Sequence, residues 1–216
     1  MSSRFPVGLP LERAWIRRVL CAAEIVDAVT LQPVIADIKV RADGLKRKPR
    51  MSRSGYHYWL EEGNAQPQRI FVDASGTPYG DAESEPPVPP EKSVRIELVP
   101  RVSYPFAGGI TALRGTLRVS RFGAPQPIVG ATVFLQWFDG TGWINAATKV
   151  TSDERGDFAA PLRLAPKDEP QLIAGGIAVR LQVRREGITK TSDEFALRAG
   201  QISPALQPYI WDDFHL

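Results

Sequence analysis

The sequence predicts an all-β protein built as two tandem β-sandwich domains, and three observations carry that prediction. Ile177, Val179, Leu181 and Val183 alternate with Ala178, Arg180, Gln182 and Arg184, the period of a strand with one buried and one solvated face. Ala131, Val133, Leu135 and Trp137 repeat the pattern. Gly 18 and Pro 19 punctuate the 216 residues, which suits frequent turns and disfavours long helices. The two halves also echo each other. Gln32-Pro33-Val34-Ile35-Ala36-Asp37-Ile38-Lys39-Val40 matches Gln126-Pro127-Ile128-Val129-Gly130-Ala131-Thr132-Val133-Phe134-Leu135 with an insertion, and Ser54-Gly55-Tyr56 matches Arg155-Gly156-Asp157. A repeat roughly a hundred residues apart denotes a duplicated domain rather than a solenoid.

Residues 1–16 read as an arm, because Pro6, Gly8 and Pro10 block regular structure. Two patterns compete over 11–20. Leu11, Trp15, Ile16, Val19 and Leu20 share a helical face, whereas Val19, Cys21, Ala23 and Ile25 alternate as in a strand; a strand from about Arg17 to Val26 is preferred. The first domain spans 17–100, with further strands at 38–42, 54–60, 69–73 and 94–98. Its Pro-rich acidic stretch 81–92 carries Asp81, Glu83, Glu85 and Glu91 among prolines. That stretch reads as an extended, solvated loop in preference to a domain linker. The linker falls instead at 101–111, where Tyr104-Pro105-Phe106-Ala107-Gly108-Gly109 breaks the pattern. The second domain spans 112–200, with strands at 113–119, 132–137, 143–150, 157–164, 177–185 and 195–198. Asp139-Gly140-Thr141-Gly142 is a hairpin signal within it. Residues 201–216 form an aromatic C-terminal tail.

Composition narrows the function classes. A net charge of +3 does not by itself argue for nucleic acid. The lone Cys21 allows no intrachain disulfide. No apolar core of signal-peptide length follows Met1, and no stretch approaches the roughly 20 apolar residues of a membrane span. The expectation is synthesis and folding in the cytoplasm.

Gln126-Pro127-Ile128-Val129-Gly130-Ala131-Thr132-Val133 followed by Thr151-Ser152-Asp153-Glu154-Arg155-Gly156-Asp157-Phe158 resembles the carboxypeptidase-regulatory-like, transthyretin-like and Cna-B-like β-sandwich modules. Their pattern is "G-x-P-V-x-G-A-x-V" and then "T-D-x-x-G-x-F". The resemblance covers 112–200 well and 17–100 loosely, because the first domain lacks the "T-D-x-x-G" lead. It implies tandem Ig-like or transthyretin-like sandwiches and no particular activity, since these motifs report turns and packing.

No residue constellation points to catalysis, a metal or a cofactor. His57 and His215 are the only histidines, too few for a site of three or four ligands. His57 reads as a plain strand residue and Cys21 as a small buried one. Asp153, Glu154 and Asp157 lack calcium-loop spacing and read as turn solvation. Two features suggest protein contacts. Lys46, Arg47, Lys48, Arg50 and Arg53 form a basic run beside Tyr56, Tyr58 and Trp59; docking onto an acidic protein surface is preferred there over nucleic acid. Tyr209, Ile210, Trp211 and Phe214 gather large apolar groups in the tail. They either pack back on their own sandwich or anchor a neighbouring subunit, including a second copy.

The sequence therefore predicts a non-catalytic structural or adaptor protein. Sandwich modules without an export signal suit a subunit of a phage-tail-like or contractile injection particle. A carbohydrate-binding module using Trp59, Trp137 or Trp143, and an unrecognised enzyme, are the alternatives.

Overall fold

The structure, a computed structural model, describes residues 18–61, 65–87, 91–120 and 124–216. The arm expected over 1–16 lies outside them. The fold is all-β: two β-sandwiches in tandem, with one 3₁₀ turn, Trp211–Asp213, and no α-helix among the described residues.

The first sandwich contains β1 (Val19–Asp27), β2 (Lys39–Ala42), β3 (Arg50–Met51), β4 (Tyr56–Leu60), β5 (Ile70–Asp73), β6 (Ala82–Ser84) and β7 (Ser93–Leu98). Its sheets run β3-β4-β1-β7 and β2-β5-β6. Cys21, Ala23 and Ile25 of β1 turn inward at every second position, onto Trp59, Ile70, Val72, Ile96 and Leu98.

The second sandwich contains β8 (Thr111–Arg118), β9 (Thr132–Phe138), β10 (Trp143–Thr151), β11 (Asp157–Leu162), β12 (Leu172–Ile173), β13 (Gly176–Arg185), β14 (Ile188–Thr191), β15 (Phe195–Leu197), β16 (Ile202–Pro204) and β17 (Tyr209–Ile210). One sheet runs β10-β9-β13, with β12, β14 and β15 also on β13; the other runs β11-β8-β16, with β17 also on β8. The two alternating stretches meet in register, Val133 opposite Val183, Leu135 opposite Leu181 and Trp137 opposite Val179. That register places all six side chains in the core with Leu113, Leu117 and Phe158 of the facing sheet, and a slip of one residue would expose them all.

The sequence echo has a structural counterpart. In each sandwich the Gln-Pro turn bends back on the first strand, Pro33 bridging Val26 and Pro127 bridging Arg118. The next residue then donates to that strand, Val34 N to Ile25 O and Ile128 N to Leu117 O, both at 3.1 Å. Gly55 and Gly156, at φ 86° and 77°, then open the strand that pairs antiparallel with the first one. A Cβ at Gly156 would lie 2.5 Å from Leu117 O, so close approach as well as the left-handed φ selects glycine. Each first strand is flanked on its other side by a parallel strand, β7 on β1 and β16 on β8.

Three details differ from the sequence reading. The turn lead that the first domain was expected to lack is present in another chemistry. Ser52 stands where Asp153 stands: Ser52 N donates to Tyr56 O as Asp153 N does to Asp157 O, and Gly55 N to Ser52 O as Gly156 N to Asp153 O. The Ser52 hydroxyl accepts from Tyr56 N at 3.0 Å, as the Asp153 carboxylate does from Asp157 N at 2.9 Å. Within 81–92, Ala82–Ser84 is a strand paired with β5 rather than solvated loop, because the prolines begin only at Pro86. Within 101–111, Tyr104 is buried.

Candidate functional site

The basic run leads into a defined hairpin, with Lys46, Arg47 and Lys48 before it and Arg50 and Arg53 on it. Arg50 and Met51 pair with Tyr58 and His57, and the Ser52–Tyr56 turn just described fixes the connection. Lys46, Arg47, Lys48, Arg50 and Arg53 are all exposed, as is Met51 at the sheet edge. The aromatic neighbours expected to serve this surface divide between two roles. Tyr56 and Tyr58 are half-buried, whereas Trp59 is 2% exposed in the core. Nearby, the Arg41 guanidinium lies 4.1 Å from the Phe71 ring centroid and 3.7 Å from the Asp43 carboxylate. The result is a cationic edge with an apolar methionine at its centre, presented by a short edge strand.

At the junction of the sandwiches, β1 ends in a buried acid. Asp27, 5% exposed, accepts from Val29 N at 2.6 Å and Thr30 N at 3.2 Å. Its other oxygen accepts from the Tyr79 hydroxyl at 2.9 Å and from the Tyr104 hydroxyl. Burial, followed by the hydrogen bond to Asp27, pushes the Tyr79 phenol up to about 12 and raises that of Tyr104 for the same reasons. Tyr104 packs edge-on against Tyr79 and Phe106 at centroid distances of 5.5 and 4.7 Å. Its carbonyl accepts from Arg114 of β8 at 2.8 Å. One residue after Asp27, the Ala28 carbonyl accepts from Arg163 at 2.8 Å and Thr148 at 3.4 Å. Arg163 also reaches Glu97 at 3.8 Å. This junction ties the second sandwich to the first through hydrogen bonds between polar groups, although the buried Nε of Arg114 has no hydrogen-bond partner among the described residues. The sequence does hold a signal for it: Asp27 is the lone acid in the apolar run 25–29.

A cleft of about 1110 Å³ opens beside the junction, with Glu83, Glu97, Arg101, Lys149, Asp153 and Arg155 among its lining residues. Much of its charge is engaged internally. Asp81 pairs with Arg101 at 3.6 Å and Glu83 with Arg69 at 3.3 Å, while Asp153 caps the turn amides of Arg155 and Asp157 at 2.8 and 2.9 Å. No group of three or more His, Cys, Asp or Glu able to hold a metal occurs among the described residues. Cys21 is buried, and that burial pushes its thiol up to about 11, away from the reactive thiolate. His57 is half-buried in β4, and desolvation lowers its pKa. No described helix is long and apolar enough to cross a membrane.

The tail packs on its own sandwich. Phe214 is buried in the second core, with Tyr209 and Trp211 packed against it; Ile210 is half-buried in β17. The Lys190 ammonium lies 4.9 Å from the Trp211 ring centroid. The tryptophans considered for stacking on sugars are placed otherwise. Trp59 and Trp137 are 2% and 4% exposed, because both fall on inward positions of their strands. The half-buried Trp143 has the Arg180 guanidinium 4.4 Å from its ring centroid, where a sugar would stack.

No protein-family model matches the chain, and no curated protein matches its sequence. Among solved structures, the Bacillus anthracis TIE protein is similar at 13% identity and a TM-score of 0.31, over 89% of this chain and 34% of that one. GBS52, the minor pilin of the Gram-positive pathogen Streptococcus agalactiae, is similar at 8% identity and a TM-score of 0.29, over 88% of this chain and 94% of that one. This chain thus spans about a third of the TIE protein's length. At that degree of superposition neither neighbour bears on partner or activity.

Proposed function

We propose that this protein is a non-catalytic structural or adaptor subunit that works through protein–protein contacts. The observation that supports it is the cationic hairpin. Arg50 and Arg53 lie on the β3–β4 hairpin and Lys46 and Lys48 in the segment before it, all exposed, while the Asp27, Tyr79 and Tyr104 side chains at the sandwich junction are taken up in internal hydrogen bonds. A positive surface of this kind steers an acidic partner and sets the salt dependence of its docking. The turn motifs support reading the chain as a tandem pair of modules that resemble the carboxypeptidase-regulatory-like, transthyretin-like and Cna-B-like ones. The finer reading is a subunit of a phage-tail-like or contractile injection particle, made in the cytoplasm and released with the particle.

The test is capture of purified sheath, tube and baseplate proteins by the full chain, at low and high salt. The reading expects one of them to be retained at low salt. It expects that retention to be lost in a Lys46→Glu, Lys48→Glu, Arg50→Glu, Arg53→Glu variant whose melting temperature is unchanged. A stable monomer that retains none of them overturns the particle reading. Retention indifferent to the charge reversal removes the hairpin from the contact.

A further inference from the structure

We propose that the strap Ile202–His215 is an exchangeable closing element, and that the slot beneath it accepts the same strap from a second copy of this chain. The strap joins the two sheets of the second sandwich. On one side Ile202–Pro204 lies parallel on Ala112–Arg114, and Tyr209–Ile210 lies parallel on Leu117–Arg118. On the other, Thr191 and His215 exchange both backbone hydrogen bonds at 2.8 Å. Its Tyr209 ring packs 6.1 Å from Phe158 and 6.2 Å from Phe195, centroid to centroid.

The seat is imperfect in a specific place. In the first sandwich the corresponding strand pairs with β1 without a break from Ala22 to Asp27. In the second, Ala205 N still donates to Arg114 O of β8 at 2.7 Å, but residues 206–208 leave the ladder between β16 and β17, and Leu206 is 98% exposed. Open surface clefts of about 240 and 260 Å³ flank the bulge, with Pro208 lining both. The connection into the strap, Arg198 to Gln201, is exposed throughout. An element with a broken ladder and open clefts on both sides is of the kind that opens locally, ahead of the core.

Opening would uncover one edge of β8 together with Phe158 and Phe195. A bare edge beside an apolar groove captures a strand, and this groove fits aromatic side chains at the spacing of Tyr209, Trp211 and Phe214. The strap of another copy carries that register already, so exchange reproduces every contact seen within one chain. This inference deepens the reading of the protein as a contact module and rests on it.

The hydrogen-bonded Thr191–His215 pair provides the test, since such cross-strand pairs lie within disulfide reach. A chain carrying Thr191→Cys is mixed at high concentration with a larger, tagged chain carrying His215→Cys, incubated and oxidised. The buried Cys21 adds no accessible thiol. Exchange yields the mixed disulfide dimer in excess of the statistical proportion to the two homodimers. Dilution before mixing should return it to that proportion. A statistical mixture at all concentrations overturns the proposal. Light scattering of the unaltered chain is the second measurement: a dimer that grows with concentration supports exchange, and a monomer throughout overturns it. Loss of exchange with partner capture by the basic hairpin intact refutes this inference and leaves the proposed function standing.

Discussion

Replacing Asp27 by alanine should be the most damaging single change at the junction of the sandwiches. The side chain is 5% exposed, and its removal strands two tyrosine hydroxyls and two backbone amides. A hydrogen bond to a charged group contributes about 1.5–3 kcal/mol. Thr30 is exposed, so its amide can turn to water, and Tyr79 is only half-buried. The Val29 amide and the Tyr104 hydroxyl carry most of the loss, which gives about 3–5 kcal/mol in all. Domains of this size are stable by about 5–15 kcal/mol, so the variant should lose a large part of its margin. Asp27→Asn keeps one acceptor oxygen and the shape, and should cost about 1–2 kcal/mol. Urea unfolding followed by tryptophan fluorescence measures both, with Trp59 in the first core and Trp137 in the second. The wild type should unfold in one transition. Asp27→Ala should lower the midpoint and broaden the transition as the sandwiches uncouple. A change within about 0.5 kcal/mol, the range of ordinary surface substitutions, would refute the assignment of Asp27 as the tie.

Alkaline pH perturbs the same group without mutation. The Tyr79 phenol is raised from 10.0 to about 12, so the unfolded chain gives up that proton first and stability falls as pH climbs from 10 through 12. Tyr209, raised by burial to about 12, adds to the fall, and melting temperature against pH should show it; a flat profile over that range contradicts it. Gly115→Ala would place a methyl 2.7 Å from Phe158 Cζ and 3.0 Å from Tyr209 Cε2. Overpacking of this kind costs about 1–3 kcal/mol, and faster proteolysis in the strap than in β1 would locate the strain. Cys21, with its thiol raised to about 11 by burial, should resist a thiol reagent at neutral pH until the chain is unfolded in urea. Labelling at the rate of a free thiol would show that β1 opens on its own.

The long strands were legible because their side-chain period is local: 177–183 and 131–137 each state their buried face within seven residues. The short strands were not. β3, β12 and β17 are two residues each and exist only because a longer neighbour offers a ladder. The basic hairpin could be read from composition alone. The junction could not, because Asp27 meets Tyr79 and Tyr104 across sequence separations of 52 and 77, and no local pattern encodes such a meeting. Trp59 shows the opposite error. Its aromatic neighbours suggested a surface, yet it sits on the inward register of β4, opposite Cys21. For the tail, hydrophobicity foretold burial and was silent on which copy would supply the slot.

The Ser52 turn gives the duplication a quantitative form. Asp153 Oδ1 accepts from the amides of Arg155 and Asp157 at 2.8 and 2.9 Å. Ser52 Oγ accepts from Tyr56 N at 3.0 Å and lies 3.0 Å from Ser54 Oγ. If the two turns are one device, an aspartate at position 52 should reach the amides of Ser54 and Tyr56 together, with Arg50 and Arg53 nearby to favour its charge. Bonds to a charged acceptor exceed those to a hydroxyl, so Ser52→Asp should stabilise by about 0.5–1 kcal/mol, whereas Ser52→Ala should cost about 1 kcal/mol. Urea midpoints of the three chains order them as Asp, Ser, Ala. An aspartate variant no more stable than the alanine one would mean that the β3–β4 turn is held by its backbone alone. The likeness to the β10–β11 turn would then be one of shape without shared chemistry.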